Sequence, residues 1–141
     1  MHRKVFALIL IDQVTKLVFG SRDFFLGPVH FHPVKNFALA FSVNFGQLSN
    51  LVLIAAALVF FIYYYFSFRN QLGFATKIFF MLIFAGAISN LVDRLYLGYV
   101  RDFLDLGLGF TFNLADVFLA AGLLGFVLQY KDKKTDFSND F

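Results

Sequence analysis

Four apolar runs of unequal length and purity divide the chain. Residues 46–68 carry no charged side chain over their whole length. A helix needs about 20 apolar residues to cross a bilayer, so this run predicts a span at 49–68. Residues 78–92 are also uncharged but short. Extended back through Leu72 they make a span at 72–92, with Lys77 able to carry its amine to the interface. The last run, 112–130, is interrupted only by Asp116 and predicts a fourth helix.

The first run is the weakest. Residues 5–11 are apolar, then Asp12 and Lys16 intervene before residues 17–19. One reading is a cleaved signal peptide with Arg3 and Lys4 as its basic start. The other is a short span at 4–20, preferred here because signal-peptide cores lack charges and no A-x-A site follows.

Four spans fix an orientation. Arg3, Lys4, Arg69, Lys77, Lys131, Lys133 and Lys134 then share one side, and Arg22, Lys35, Arg94 and Arg101 the other. The excess places both termini in the cytoplasm by the positive-inside rule. Arg94 and Arg101 sit beside Asp93 and Asp102, where pairing would cancel their topogenic weight. The outer loop 21–48 holds Gly27, Pro28 and Pro33, and β-branched and aromatic residues at 29–43 suit a small strand unit. Residues 93–111 form a second outer segment, and 131–141 a polar, disordered tail. The expected fold is therefore an all-α polytopic membrane protein. It has four transmembrane helices (4–20, 49–68, 72–92, 112–130), a small extracytoplasmic β-rich loop region, and a single domain over 1–141.

Composition agrees. Hydrophobic residues make up 60% and charged residues 15%, against roughly 45–50% and about 25% in soluble domains. There are 23 Phe and no Trp, so the interfacial aromatic role falls to Tyr63, Tyr64 and Tyr65. The absence of Cys excludes disulfides, thiolate catalysis and cysteine metal sites. The net charge of +3 is scattered, which argues against nucleic acid as a partner.

A charge inside a span needs a partner or a task. Asp12 and Lys16, at i, i+4 with the acid first, suit an ion pair on one helical face. Asn36 opens the loop segment N-F-A-L-A-F-S, where an Asn is usually a turn residue. In G-A-I-S-N-L-V-D-R, Gly86, Asn90 and Asp93 fall on one face, with Arg94 four residues after Asn90. Small residues there would let another helix approach closely. Asn113 and Asp116 share a face at i, i+3. Asp102 lies fourteen positions before Asp116, too far for one helix but within reach if the chain doubles back. Two carboxylates meeting in a poorly solvated site share a proton. One then activates water while the other protonates a scissile carbonyl. Helix capping or Arg pairing would account for the same aspartates structurally.

Other chemistries find less support. His30 and His32 alternate as strand residues and could face one side, but two histidines lack a third ligand. There is no H-E-x-x-H and no G-x-S-x-G. Ser21 near Lys16 would need a geometry the sequence does not give.

The segments D-Q-V-T-K, N-F-A-L-A-F-S, G-A-I-S-N-L-V-D-R, G-Y-V-R-D-F and F-N-L-A-D, in that order, resemble the signature of lipoprotein signal peptidases (signal peptidase II). The resemblance covers nearly the whole chain, and its last three segments are the specific ones. It implies an aspartic endopeptidase whose catalytic pair is Asp102 and Asp116, supported by Asp12, Lys16, Asn36, Asn90, Asp93, Arg94 and Asn113. It implies no metal and no cofactor. The implied substrates are bacterial prolipoproteins already carrying a diacylglyceryl group, cut just before the lipidated cysteine. Membrane lipids and globomycin-type inhibitors are the other implied partners, and one chain suffices as a monomer. The implied location is the bacterial cytoplasmic membrane, with the site near its outer face. Two departures stand out. Ala38 occupies a position where Gly is usual, and Ala would be strained there if the backbone is left-handed. The chain before Asp12 is also short for the family.

Two other classes remain open at this level. A small transporter would use Asp12, Asp93 and Asp116 as a proton or ion relay. A non-catalytic assembly protein would use the small face around Gly86 to bind partner helices.

Overall fold

A computed structural model describes residues 1–38 and 45–139. The elements run α1 (His2–Phe19), β1 (Phe24–Leu26), β2 (Val29–Asn36), α2 (Gln47–Phe68), α3 (Phe74–Leu97), β3 (Val100–Asp105), β4 (Thr111–Phe112) and α4 (Leu114–Asn139). Each apolar run is a helix. Two of them, Gln47–Phe68 and Phe74–Leu97, are long and apolar enough to cross a membrane, and Leu114–Gln129 is a shorter apolar stretch. The side chains of α2 are exposed around most of its circumference, Leu48, Val52, Val59, Phe60, Tyr63 and Phe66 among them. Soluble monomers rarely show so continuous an apolar surface.

Between the helices the chain is not all-α. The strands form one antiparallel sheet in the order β1-β2-β3-β4. The first two come from the 21–48 loop, and β3 and β4 from the segment between α3 and α4. That second contribution was not foreseen, because residues 100–105 are too short a run to announce a strand without its partner. Gly107 and Gly109, at φ +74° and +82°, permit the turn that folds β4 back onto β3. The pairing of β2 with β3 shifts register between Phe31 and Val34. Pro33 lies in that gap and has no N–H to offer a ladder, so a bulge falls there. Beyond the bulge, Val34 lies opposite Asp102 and Asn36 opposite Val100. Phe19, at the end of α1, packs on Phe31 and Phe103, with ring centroids 4.8 and 5.7 Å away, and so ties the sheet to the helices.

At the other end Phe80 is fully buried beside Leu58 and Phe84. Tyr64 stacks on Phe80 at 5.8 Å, and Phe126 meets it edge-on at 5.4 Å. Tyr65 also packs on Phe80. Of the three tyrosines expected at the interface, only Tyr63 is exposed, and Tyr64 and Tyr65 are half-buried. Helical spacing turns the next two inward. The α3–α4 contact is close because Gly86 faces the Ala115 carbonyl and Leu119, while Gly122 faces the Phe79 carbonyl. The helix α4 runs on to Asn139. No Gly or Pro follows Gly125 to break the helix.

Candidate active site

The start of α4 is the structural centre of the site. Asn113 caps this helix: its side-chain oxygen accepts from the Asp116 N–H at 3.0 Å. In return Asp116 Oδ2 accepts from the Asn113 N–H at 3.1 Å. This reciprocal pair is a capping box with Asp in the usual Glu position. The same Asn113 donates through Nδ2 to Asp102 Oδ1 at 2.6 Å. One residue therefore holds both carboxylates, Asp102 from β3 and Asp116 from the first turn of α4. Asp102 Oδ2 accepts from Asn36 Nδ2 at 2.8 Å, a contact between β2 and β3. Burial first, and the neighbouring Asp116 carboxylate second, push the Asp102 carboxyl up to about 6. The hydrogen bonds from Asn36 and Asn113 act in the opposite direction.

Behind the pair lies a buried charge network. Asn90 donates to Asp116 Oδ1 at 2.8 Å and accepts from Lys16 Nζ at 2.8 Å. Lys16 pairs with Asp12 at 2.8 Å and with Asp93 at 3.5 Å. All three are essentially without solvent contact. The i, i+4 pair legible in the sequence is thus real, and its task is larger than mutual neutralisation. Asp12 accepts from Ser89 Oγ at 2.6 Å and from the Ala115 N–H at 2.7 Å. A carboxylate at that N–H meets the positive end of the α4 dipole. The pair therefore fixes the helix that carries Asp116.

Asp93 binds Arg101 through both oxygens, at 2.7 Å to Nη2 and 3.1 Å to the backbone N–H. Arg101 adjoins Asp102 in sequence, yet its partner is Asp93. Gln13 closes this cluster, donating to Asp93 at 3.0 Å and accepting from Arg101 at 2.7 Å. Arg94 makes no ion pair among the described residues. It donates to the Ala38 carbonyl at 2.7 Å and so anchors the segment that follows β2. The Ala38 N–H in turn donates to Asn36 Oδ1 at 2.9 Å. Residues 39–42 of the N-F-A-L-A-F-S segment lie outside the described residues.

All nine polar residues singled out in the sequence thus belong to one connected set. Sequence reasoning left Gln13, Ser89, Arg101 and Asn50 out of the site, having set Arg101 beside the adjacent Asp102 as its partner. The first three stand inside the quoted segments, where a polar residue in an apolar stretch is itself a signal. Asn50 is buried at the start of α2 and joins the loop by donating to the Phe37 carbonyl and accepting from the Phe45 N–H, both at 3.1 Å.

On the sheet His30 and His32 each hydrogen-bond Asp23 at 2.8 Å. Those two contacts hold the Asp23 carboxyl below the usual carboxylate range.

A family profile described as Signal peptidase (SPase) II matches residues 4–131. A protein described as lipoprotein signal peptidase from Thermodesulfovibrio yellowstonii is 37% identical over 145 residues, 92% of each chain. One from Fusobacterium nucleatum subsp. nucleatum is 31% identical over 137 residues, 87% of this chain and 81% of its own. Among solved structures, one titled as a bacterial membrane enzyme at 1.9 Å is 25% identical. It has a TM-score of 0.77 and covers 90% of this chain and 89% of its own. A second of the same description, at 2.3 Å, gives a TM-score of 0.83 at 24% identity, covering 94% and 88%.

Proposed function

The chain belongs to the signal peptidase II family, and on that premise we propose that it is a membrane aspartic endopeptidase acting on diacylglyceryl-modified prolipoproteins. The observation that carries the reading is the pair of carboxylates joined through Asn113, Asp102 buried and Asp116 half-buried. Each is surrounded by hydrogen-bond donors, and Asp102 holds a proton more readily than an ordinary aspartate.

In this reading one carboxylate takes a proton from water as the water oxygen attacks the scissile carbonyl carbon. The other gives its proton to the carbonyl oxygen. Collapse of the tetrahedral intermediate breaks the C–N bond. The nitrogen leaves protonated as the new amino terminus on the lipidated cysteine, and the signal peptide leaves as a carboxylate. Two adjacent carboxylates share one proton because both cannot ionise side by side in a poorly solvated site.

The remaining assignments follow from the same reading. All four helices span the cytoplasmic membrane, α1 and α4 included, with both termini in the cytoplasm. The sheet and the dyad then lie at the outer face, where acyl chains can stay in the bilayer while the peptide reaches the aspartates. Asp12, Lys16, Asn36, Asn90, Asp93, Arg94 and Asn113 support the dyad. Every one comes from one chain, so a monomer suffices. A globomycin-type cyclic peptide would occupy the same cleft.

The test is cleavage itself. Purified protein in detergent is given a diacylglyceryl-modified prolipoprotein and, separately, the unmodified precursor. Signal-peptide release from the lipidated form alone is expected. No release, where a known signal peptidase II cleaves the same preparation, contradicts the assignment.

A further inference from the structure

The sequence offers His30 and His32 as two strand residues without a third ligand, and no metal was expected there. The fold supplies the third. Asp23 sits just ahead of β1, across the hairpin from both rings. His30 Nε2 lies 2.8 Å from Asp23 Oδ1 and His32 Nδ1 lies 2.8 Å from Asp23 Oδ2. The three ligand atoms all fall within 4.8 Å of one another. The geometry points to a binding site for a divalent transition-metal ion, of the kind zinc fills, formed by Asp23, His30 and His32 on the outer sheet.

Four observations support it. The donor set, two imidazoles and one carboxylate, suits a borderline ion such as Zn2+. Bonds of about 2.0–2.2 Å in a tetrahedral arrangement hold ligand atoms about 3.4 Å apart, between the 2.8 Å contacts and the 4.8 Å outer limit observed, so side-chain rotations bring them to that spacing. The groups are accessible, with Asp23 and His32 side chains 58% and 46% exposed. Three protein ligands also leave a fourth position for water.

The surroundings orient one ligand further. Phe25 stacks on the His30 ring at 4.0 Å and 7°, which fixes its plane. His30 Nδ1 faces Asp105 Oδ2 at 3.9 Å, from the strand paired with β2. With Nε2 on the ion, Nδ1–H would turn to that carboxylate, the usual outer partner of a ligating imidazole. An ion here would join the segment before β1 to β2 and, through His30, to β3. It plays no part in the dyad chemistry, so the site stands whether or not the peptidase assignment does.

The experiment is calorimetric titration of Zn2+ into the untagged full chain in chelator-treated detergent. One ion per chain is expected. Asp23→Ala, His30→Ala and His32→Ala should each abolish that binding, and Asp105→Asn should weaken it about 10-fold or more. His2→Ala, which removes the remaining histidine, should bind as the native chain does. As a second measurement, Co2+ added to the native chain should give visible absorption bands that Zn2+ displaces. Absence of stoichiometric Zn2+ uptake by the native chain would overturn the proposal. So would equal uptake by a chain lacking both His30 and His32, which would leave the Asp23 cluster a hydrogen-bonded surface group only.

Discussion

Asn113 donates a 2.6 Å hydrogen bond to Asp102 with the same side chain whose oxygen caps the helix bearing Asp116. Helix capping and dyad alignment therefore cannot be separated. Asn113→Ala removes the bridge and the cap together. A hydrogen bond to a charged group contributes about 1.5–3 kcal/mol, so kcat should fall roughly 10- to 100-fold. Stability should fall by roughly 2–4 kcal/mol, the loss of the cap adding to that of the buried hydrogen bond. Steady-state cleavage and thermal denaturation of the same preparation separate the two effects.

The pH dependence follows from Asp102. Its folded carboxyl titrates at about 6 against an ordinary value of 3.8, so the folded state holds the proton more tightly. The resulting stabilisation is complete below pH 3.8 and is lost as pH rises through about 6. At about 1.4 kcal/mol per pH unit the loss is about 3 kcal/mol at most. Denaturant titrations between those limits should show it, and Asp102→Asn should flatten the curve. The activity of the pair should decline above the same region as the shared proton is lost. Asn36→Ala removes a hydrogen bond that favours the ionised form, so that decline should move to higher pH. A shift to lower pH would contradict the role given to Asn36.

Lys16 is buried among Asp12, Asp93 and Asn90. Lys16→Met leaves Asp12 without its cation while Asp93 keeps Arg101, and breaking a buried pair in this way costs about 3–5 kcal/mol. Removing the Asp12 charge as well, in Lys16→Met with Asp12→Asn, should cost less than the sum of the single changes. Unfolding in detergent measures both.

Gly86 marks the α3–α4 approach, where an added Cβ would strike the Ala115 carbonyl. Gly86→Val should destabilise by about 1–3 kcal/mol, as overpacking does elsewhere. Because Ala115 adjoins Asp116, cleavage should fall as well, even at temperatures where the variant is folded.

Much of this was written locally in the chain. Apolar runs announced the four helices, i, i+4 spacing announced the Asp12–Lys16 pair, and i, i+3 spacing brought Asn113 and Asp116 together, though as one helical face where the structure makes a cap. What the sequence hid depends on distant partners. Residues 100–105 become a strand because β2 lies beside them. Asn36 meets Asp102 across 66 positions, and Arg101 turns to Asp93 where the adjacent Asp102 was the local expectation. Asp23 joins His30 and His32 only once the hairpin closes.

The central claim, that Asp102 and Asp116 together perform the cleavage, is tested most directly by the isosteric variants Asp102→Asn and Asp116→Asn. Each is purified in detergent, checked for native unfolding behaviour, and assayed on a diacylglyceryl-modified prolipoprotein. Loss of signal-peptide release by about 1,000-fold or more in both is predicted, since neither amide can take or shuttle the proton. Near-native release by either variant would contradict the two-aspartate account.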